Sequence, residues 1–244
     1  MGMSTASIIL LLVFSLGASF TQRVTGFGFG IFIMAILPFI MPTYGEATAL
    51  SGLLAIVCVV LTAIRMRKHL QWNKLLPILV TFLVVSFFAV KAVAMIDDHI
   101  LKRVVGAILI AVSIYFFFFS ERIHMKPTVP VQICMGTLSG LMGGFFAMQG
   151  PPAVIYFLSC TKTKEQYIAL SSAYFVLGNC MMTLFRASSG FVTQTVGKAW
   201  LMAVPTVVIG IWLGGRVYDR IDVVTLRKIV YAFMAVSGLL ALLS

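Results

Sequence analysis

Long apolar runs separated by short polar gaps organise this chain. Six runs, at residues 46–64, 74–94, 101–119, 165–186, 199–218 and 226–243, approach the roughly 20 apolar residues that a membrane-crossing helix needs. Two further stretches, 4–42 and 129–160, are too long for one crossing and are interrupted midway. The first is interrupted by Thr21-Gln22-Arg23-Val24-Thr25-Gly26-Phe27-Gly28-Phe29-Gly30, and the second by Gly143-Gly144-Phe145-Phe146-Ala147-Met148-Gln149-Gly150-Pro151-Pro152. Glycine and proline at those densities break a straight helix, so each stretch predicts two helical pieces joined at a break. The apolar run from Ser7 to Leu16 has neither a basic flank nor an A-x-A-like site, and reads as a first helix rather than a signal peptide.

The pattern occurs twice. Ala49-Leu50-Ser51 follows the first broken stretch and Ala169-Leu170-Ser171 the second, while Arg65 and Arg186 close the next helix in each half. Ile96-Asp97-Asp98-His99-Ile100-Leu101-Lys102-Arg103-Val104-Val105 matches Ile221-Asp222-Val223-Val224-Thr225-Leu226-Arg227-Lys228-Ile229-Val230, charges included. The expected architecture is an all-α polytopic membrane protein with one transmembrane domain made of two repeats, 1–120 and 121–244. Each repeat comprises a glycine-broken helix or hairpin plus three spanning helices.

Charge orients the repeats. With the basic loop at 65–74 inside, twelve Lys and Arg residues fall inside, among them Arg65, Arg67, Lys68, Lys74, Lys162 and Lys164; Lys91, Lys102, Arg103, Arg186 and Lys198 fall outside. A parallel arrangement would divide them about evenly, so the bias toward cytoplasmic Lys and Arg predicts inverted repeats.

Composition excludes other classes. Hydrophobic residues make up 61% of the chain and charged residues 10%, with a mean hydropathy of +1.07. A soluble domain needs about 25% charged residues. The net charge of +11 lies in the loops, as membrane topology requires, and does not indicate nucleic acid. Cys58, Cys134, Cys160 and Cys180 lack metal-ligand spacing, and His69, His99 and His124 lie in loops, so neither a metal nor a cofactor is expected. A membrane enzyme would need a clustered nucleophile and base within the span, and the sequence shows none. All seven acids lie at helix ends or in loops, which argues against cation cargo.

A helix that breaks inside the membrane leaves backbone N–H groups and the positive end of a helix dipole facing inward. Glycine lets an anion approach them. Such backbone is tolerated only where protein buries it or a wet cavity borders it. Paired breaks in inverted repeats are a recurring design of secondary transporters.

The Gly26-Phe27-Gly28-Phe29-Gly30 break, the stretch from Gly140 through Gly143-Gly144 to Gln149-Gly150-Pro151-Pro152, and the helix bearing Phe185-Arg186-Ala187 together resemble the sulfite exporter TauE/SafE family of permeases. The resemblance covers essentially the whole chain. It implies transport of sulfite or organosulfonates across a bacterial inner membrane. Met148-Gln149-Gly150 departs from the family pattern, in which a further glycine often precedes the last one.

The candidate substrate-binding residues are Arg23, Thr25, Gly26, Gly28, Gly30, Gly143, Gly144, Gln149, Gly150, Ser171, Tyr174 and Asn179. Arg23 fits either a substrate contact or a side chain reaching the lipid headgroups. Gln149 fits a ligand-facing amide or a cap on the break. Ser171 and Tyr174 share a helical stripe, and Asn179 fits a cavity lining or an interhelical bond. Ser51 carries a weaker form of the Ser171 argument. Tyr44 and Tyr156 are expected as interface aromatics. The function expected is a secondary transporter of small anions working by alternating access; an anion channel, or a carrier of carboxylates, is the alternative. The partners expected are a small sulfite or sulfonate anion and the lipid bilayer, with homodimerisation left open.

Overall fold

In the computed structural model the chain is described over residues 4–119 and 128–217 and at positions 235, 236, 239 and 242. Beyond those positions, the helix expected at 226–243, the second copy of the I-D-x-x-x-L loop and the basic residues Arg122, Lys126, Arg220, Arg227 and Lys228 lie outside the described residues. All regular structure described is helical. Six helices, counting only the described residues, are long and apolar enough to cross a membrane.

Helix α1 (Thr5–Thr25) starts where the Ser4 hydroxyl accepts the Ser7 N–H at 3.1 Å. It stops at Gly26, whose φ of +83° is left-handed and whose N–H returns to the Gln22 carbonyl. Gly28, at φ +103°, turns the chain again, and only glycine takes both values without a side-chain penalty. Helix α2 (Phe29–Met34) and helix α3 (Leu37–Ile40) complete the first broken stretch. The interruption between them was not foreseen. Pro38 has no N–H to donate to the Met34 carbonyl one turn earlier, and its ring crowds that carbonyl.

Helix α4 (Tyr44–Met66), helix α5 (Trp72–Val93) and helix α6 (Asp98–Phe119) follow, realising the runs at 46–64, 74–94 and 101–119. In the second half, helix α7 (Val129–Phe146) ends at Ala147 and helix α8 (Gly150–Cys160) begins on Pro151 and Pro152 in its first turn, where a missing N–H costs nothing. Helix α9 (Lys164–Ser188) and helix α10 (Gln194–Val217) end the continuous description. Thr43 and Thr163 cap α4 and α9 alike, each hydroxyl accepting the N–H three residues on.

The helix pairings are reciprocal. Helix α1 packs on α10 and α7 on α5, while α4 packs on α9. Exchanging α1 for α7, α4 for α9 and α5 for α10 reproduces the set, including the lesser contacts of α10 with α4 and α5 with α9. Helices α4 and α9 are antiparallel: Glu46 at the start of α4 meets Thr193 just beyond α9, and Met66 at the end of α4 shares a cavity with Lys164 at the start of α9.

Two pairings depend on glycine stripes. On α7, Gly136, Gly140 and Gly144 lie against the α5 backbone and small side chains; a Cβ on Gly136 would stand 2.8 Å from the Ile78 carbonyl oxygen, and one on Gly140 3.0 Å from that of Phe82. On α10, Gly210 meets Ser19 and the Leu16 carbonyl of α1, and Gly214 meets Arg23 and Phe20. This four-residue spacing lets helices approach closely in a solvent that offers no hydrophobic drive between them.

The faces turned away from these contacts carry Val80, Val84, Phe88, Leu184, Leu201 and Trp212, all more than half exposed or nearly so. Large exposed apolar side chains on long helices fit lipid rather than water. Tyr44 and Tyr156, expected at the interface, are instead fully buried. The Tyr44 hydroxyl donates to the Phe145 carbonyl at 2.9 Å. Tyr156 accepts from Gln132 Nε2 at 2.7 Å and donates to the Lys74 carbonyl at 3.2 Å. Their phenols tie the two halves together.

Candidate anion-binding site

The two breaks meet. A Cβ on Gly30 would run into the carbonyl oxygen of Ala147, so glycine at that position admits the backbone of the second break. Ala147 is itself the one non-glycine residue with positive φ, +56°, among the described residues. A left-handed alanine costs about 1–2 kcal/mol, and its carbonyl is fixed against Gly30 as a result.

Each break is held by its own polar groups. Gln22 spans the first: its Nε2 donates to the Gly26 carbonyl at 3.1 Å and its Oε1 accepts the Phe29 N–H at 3.0 Å. Thr25 donates toward the Thr21 and Phe27 carbonyls, at 2.9 and 2.6 Å. At the second break, Ser139 donates to the Gln149 carbonyl at 2.5 Å, and Tyr174 donates to Ser139 at 2.6 Å. Backbone that breaks at membrane depth is thus largely satisfied from within.

A cavity of about 370 Å³ opens between the end of α1, the second half of α4 and the first half of α9. Its walls are Gln22 to Gly26 from α1 and the first break, Cys58, Val59, Thr62 and Met66 from α4, and Lys164, Tyr167, Ile168, Ser171, Ser172 and Phe175 from α9. A smaller space of about 40 Å³ adjoins it where the breaks cross, bounded by Gly28, Gly30, Ala147, Gln149, Gly150 and Asn179. Gln22, Val59 and Phe175 wall both spaces.

The electrostatics of the larger cavity are one-sided. Arg23 and Lys164 line it, and among the described residues no carboxylate does. Ser171 and Ser172 turn their hydroxyl protons back to the Tyr167 and Ile168 carbonyls, at 2.7 and 2.5 Å. Their protons are thus spent within the helix, as that of Thr25 is within the break, and attraction for an anion comes from the two cations. Arg23 is exposed, with its aliphatic stem against Gly214 and its guanidinium beside Gly215.

Nine of the twelve candidates border one of the two spaces: Arg23, Thr25, Gly26 and Ser171 the larger, and Gly28, Gly30, Gln149, Gly150 and Asn179 the smaller. Three do not. Gly144 is pressed against Ala89 and Ser86 of α5, Gly143 offers its carbonyl to Arg186 at 2.9 Å, and Tyr174 turns to Ser139 and to the Phe82 ring. Asn179 Nδ2 donates within its own helix, to the Phe175 carbonyl at 2.7 Å. The sequence reading passed over Lys164 as a wall residue, because a lysine opening a helix reads as a topology signal. Ser172, which the sequence did not single out, lines the cavity as well. Arg186, read as an outer helix end, is fully buried.

No group of three or more His, Cys, Asp and Glu able to hold a metal occurs among the described residues.

A probable sulfite/organosulfonate exporter TauE of Cupriavidus necator is 22% identical over 227 residues, spanning 90% of this chain and 88% of the relative. A probable membrane transporter protein of Methanocaldococcus jannaschii is 25% identical over 242 residues, spanning 89% of each. No solved structure matches the chain. The family profile Sulfite exporter TauE/SafE matches residues 10–241, and the chain belongs to that family of membrane transporters.

Proposed function

We propose that this multi-pass membrane protein is a secondary transporter of sulfite or organosulfonates in a bacterial inner membrane. The observation that carries the reading is a cavity that, among the described residues, is lined by two cations and no carboxylate, and that adjoins the crossing of two broken helices. Its volume of about 370 Å³ lies within the range of small-molecule sites, about 300–1,000 Å³. The relative from Cupriavidus necator is named for sulfite and organosulfonates, which supports the cargo class.

In the proposed mechanism the anion enters between α4 and α9 from the end that carries the Arg67–His69 turn. Arg23 and Lys164 attract it. Past Gln22 and Phe175 it meets the crossing, where Gln149 and Asn179 offer amide groups. Gln149 Oε1 is buried without a hydrogen-bond partner, so this side chain has bonding capacity to spare for a bound ion's water or for a rearranged break. The halves 1–120 and 121–244 are read as inverted repeats; the reciprocal helix pairings and the antiparallel α4 and α9 support this. Exchange of the two arrangements of such repeats would open the site alternately to each side.

The test is uptake of radiolabelled sulfite, sulfoacetate, an aryl sulfonate, sulfate and a simple carboxylate into liposomes holding the purified protein, beside Gln149→Ala. Saturable, selective movement of sulfite or a sulfonate, weakened in the variant, is expected. Movement proportional to concentration would identify a channel, and movement of the carboxylate alone would refute the cargo class.

A further inference from the structure

We propose that Arg186, with Thr183 and Asn179, forms a second anion-binding site on the opposite side of the helix breaks from the open cavity, closed in this structure. Its ligand class is that of the transport reading above, on which this inference rests: sulfite or a sulfonate, bound through oxygens that accept from a guanidinium.

The charge itself is the first observation. Arginine stays protonated in proteins, and a buried charge is unfavourable unless it is paired and hydrogen-bonded. Arg186 is 0% exposed, yet only its Nη2 has a partner, the Gly143 carbonyl at 2.9 Å. Its Nε and Nη1 have none. Glu46 gives one oxygen to Thr193 at 2.6 Å, and its other oxygen has no hydrogen bond; Asp98 accepts the Tyr44 N–H at 3.0 Å. Neither acid supplies the missing bonds. The negative end of α7, where Gly143 lies, offsets part of the charge, but it occupies one edge of the fork.

The second observation is the arrangement around the free edge. Gly52 on α4 lets these groups close in on the helix: a Cβ there would stand only 3.0 Å from Arg186 Nη1, and 3.6 Å from both Asn179 Oδ1 and Thr183 Oγ1. Thr183 Oγ1 is also buried without a partner. Orphaned polar groups on neighbouring turns of one helix therefore converge on a glycine. A sulfonate or sulfite oxygen bridging Nε and Nη1 would satisfy the fork, and Thr183 would supply a further donor.

Position is the third. The open cavity is walled by the second half of α4, the first half of α9 and the end of α1. Exchanging each element for its counterpart names the second half of α9, the first half of α4 and the end of α7. Those are the elements that close on Arg186: Thr183 and Asn179 of α9, Gly52 of α4 and Gly143 of α7. Arg65, the counterpart of Arg186, is exposed beside the open end. The closed cluster thus stands where the open cavity would stand after the halves exchange roles.

The experiment compares wild type, Arg186→Gln, Arg186→Lys and Thr183→Val as full-length chains. The probes are sulfite and sulfoacetate, and the readouts are saturable uptake into liposomes and the rise in melting temperature each anion gives the detergent-purified protein. Losing charge-assisted bonds to a buried anion should slow uptake by Arg186→Gln at least about tenfold and remove the anion-dependent rise. Arg186→Lys should fall between, and Thr183→Val should raise KM several-fold with the anion-free melting temperature little changed. If Arg186 merely fastens α7, Arg186→Gln will melt lower without anion yet keep the full rise and the wild-type KM, and the inference is overturned. Should Arg186→Gln fail to fold, unchanged KM in both other variants overturns it equally. Wild type that neither moves nor is stabilised by either anion removes the transport reading itself, and this inference with it.

Discussion

Gly30 and Ala147 are in backbone contact: the carbonyl oxygen of Ala147 fills the position where a side chain on Gly30 would begin. This places the first break of one half directly against the second break of the other. Replacing Gly30 with alanine drives a methyl group into a backbone carbonyl, with no flexible side chain to yield. We expect Gly30→Ala to lower stability by about 1–3 kcal/mol and to abolish uptake, checked by melting temperature and liposome assay together. Wild-type uptake in this variant would mean that the crossing is not on the transport route.

Ala147 offers the opposite change. Its φ of +56° suits glycine, and relieving a left-handed alanine gains about 1 kcal/mol. Ala147→Gly should therefore melt higher than wild type. A lower melting temperature would show that the alanine methyl contributes packing that outweighs the backbone cost.

The stripe on α7 predicts failure of a different kind. Gly140→Leu would push a side chain into Val85 and the Phe82 carbonyl of α5, separating two helices whose association relies on close approach. Loss of monodisperse protein on size exclusion is expected. Gly197, which has nothing within 4 Å of a built Cβ, is the control: Gly197→Ala should be neutral or slightly stabilising, since alanine is favoured over glycine in a helix by about 1 kcal/mol. Equal behaviour of the two variants would refute the packing argument.

Cys58 reports on the open cavity. It lines that space, while Cys134 and Cys180 face outward and Cys160 lies elsewhere in the core. In a variant carrying serine at 134, 160 and 180, a small thiosulfonate reagent should modify Cys58, and sulfoacetate should slow the reaction. Modification at an unchanged rate under saturating sulfoacetate would place the anion elsewhere.

Much of this was legible in the chain because lipid imposes length and composition rules that residue patterns obey directly. The runs that became α4, α5, α6, α9 and α10 are apolar over nearly their whole length, and glycine or proline marks both breaks. What escaped depends on neighbours distant in sequence. Arg186 ends an apolar run, as Arg65 does, and only the glycine at 52 and the end of α7 show that one is buried while the other is exposed. Gly144 reads like Gly143, but α5 lies on its side of the helix. Tyr44 and Tyr156 sit near helix ends, where tyrosine commonly meets headgroups; here the Phe145 and Lys74 carbonyls claim their hydroxyls. Pro38 was visible as a residue, but its severance of α2 from α3 was not drawn from it.

The glycine stripes also bear on mechanics. Where Gly136, Gly140 and Gly144 seat α7 on α5, and Gly210 and Gly214 seat α10 on α1, one helix cannot slide along the other without lifting a side chain over backbone. Each pair therefore behaves as a girder that crosses from one half of the molecule to the other. The seam between α4 and α9 has no such stripe, and both the open cavity and the Arg186 cluster lie along it. Two of the three main pairings are thus keyed by glycine, and the cavity and the buried arginine lie along the third.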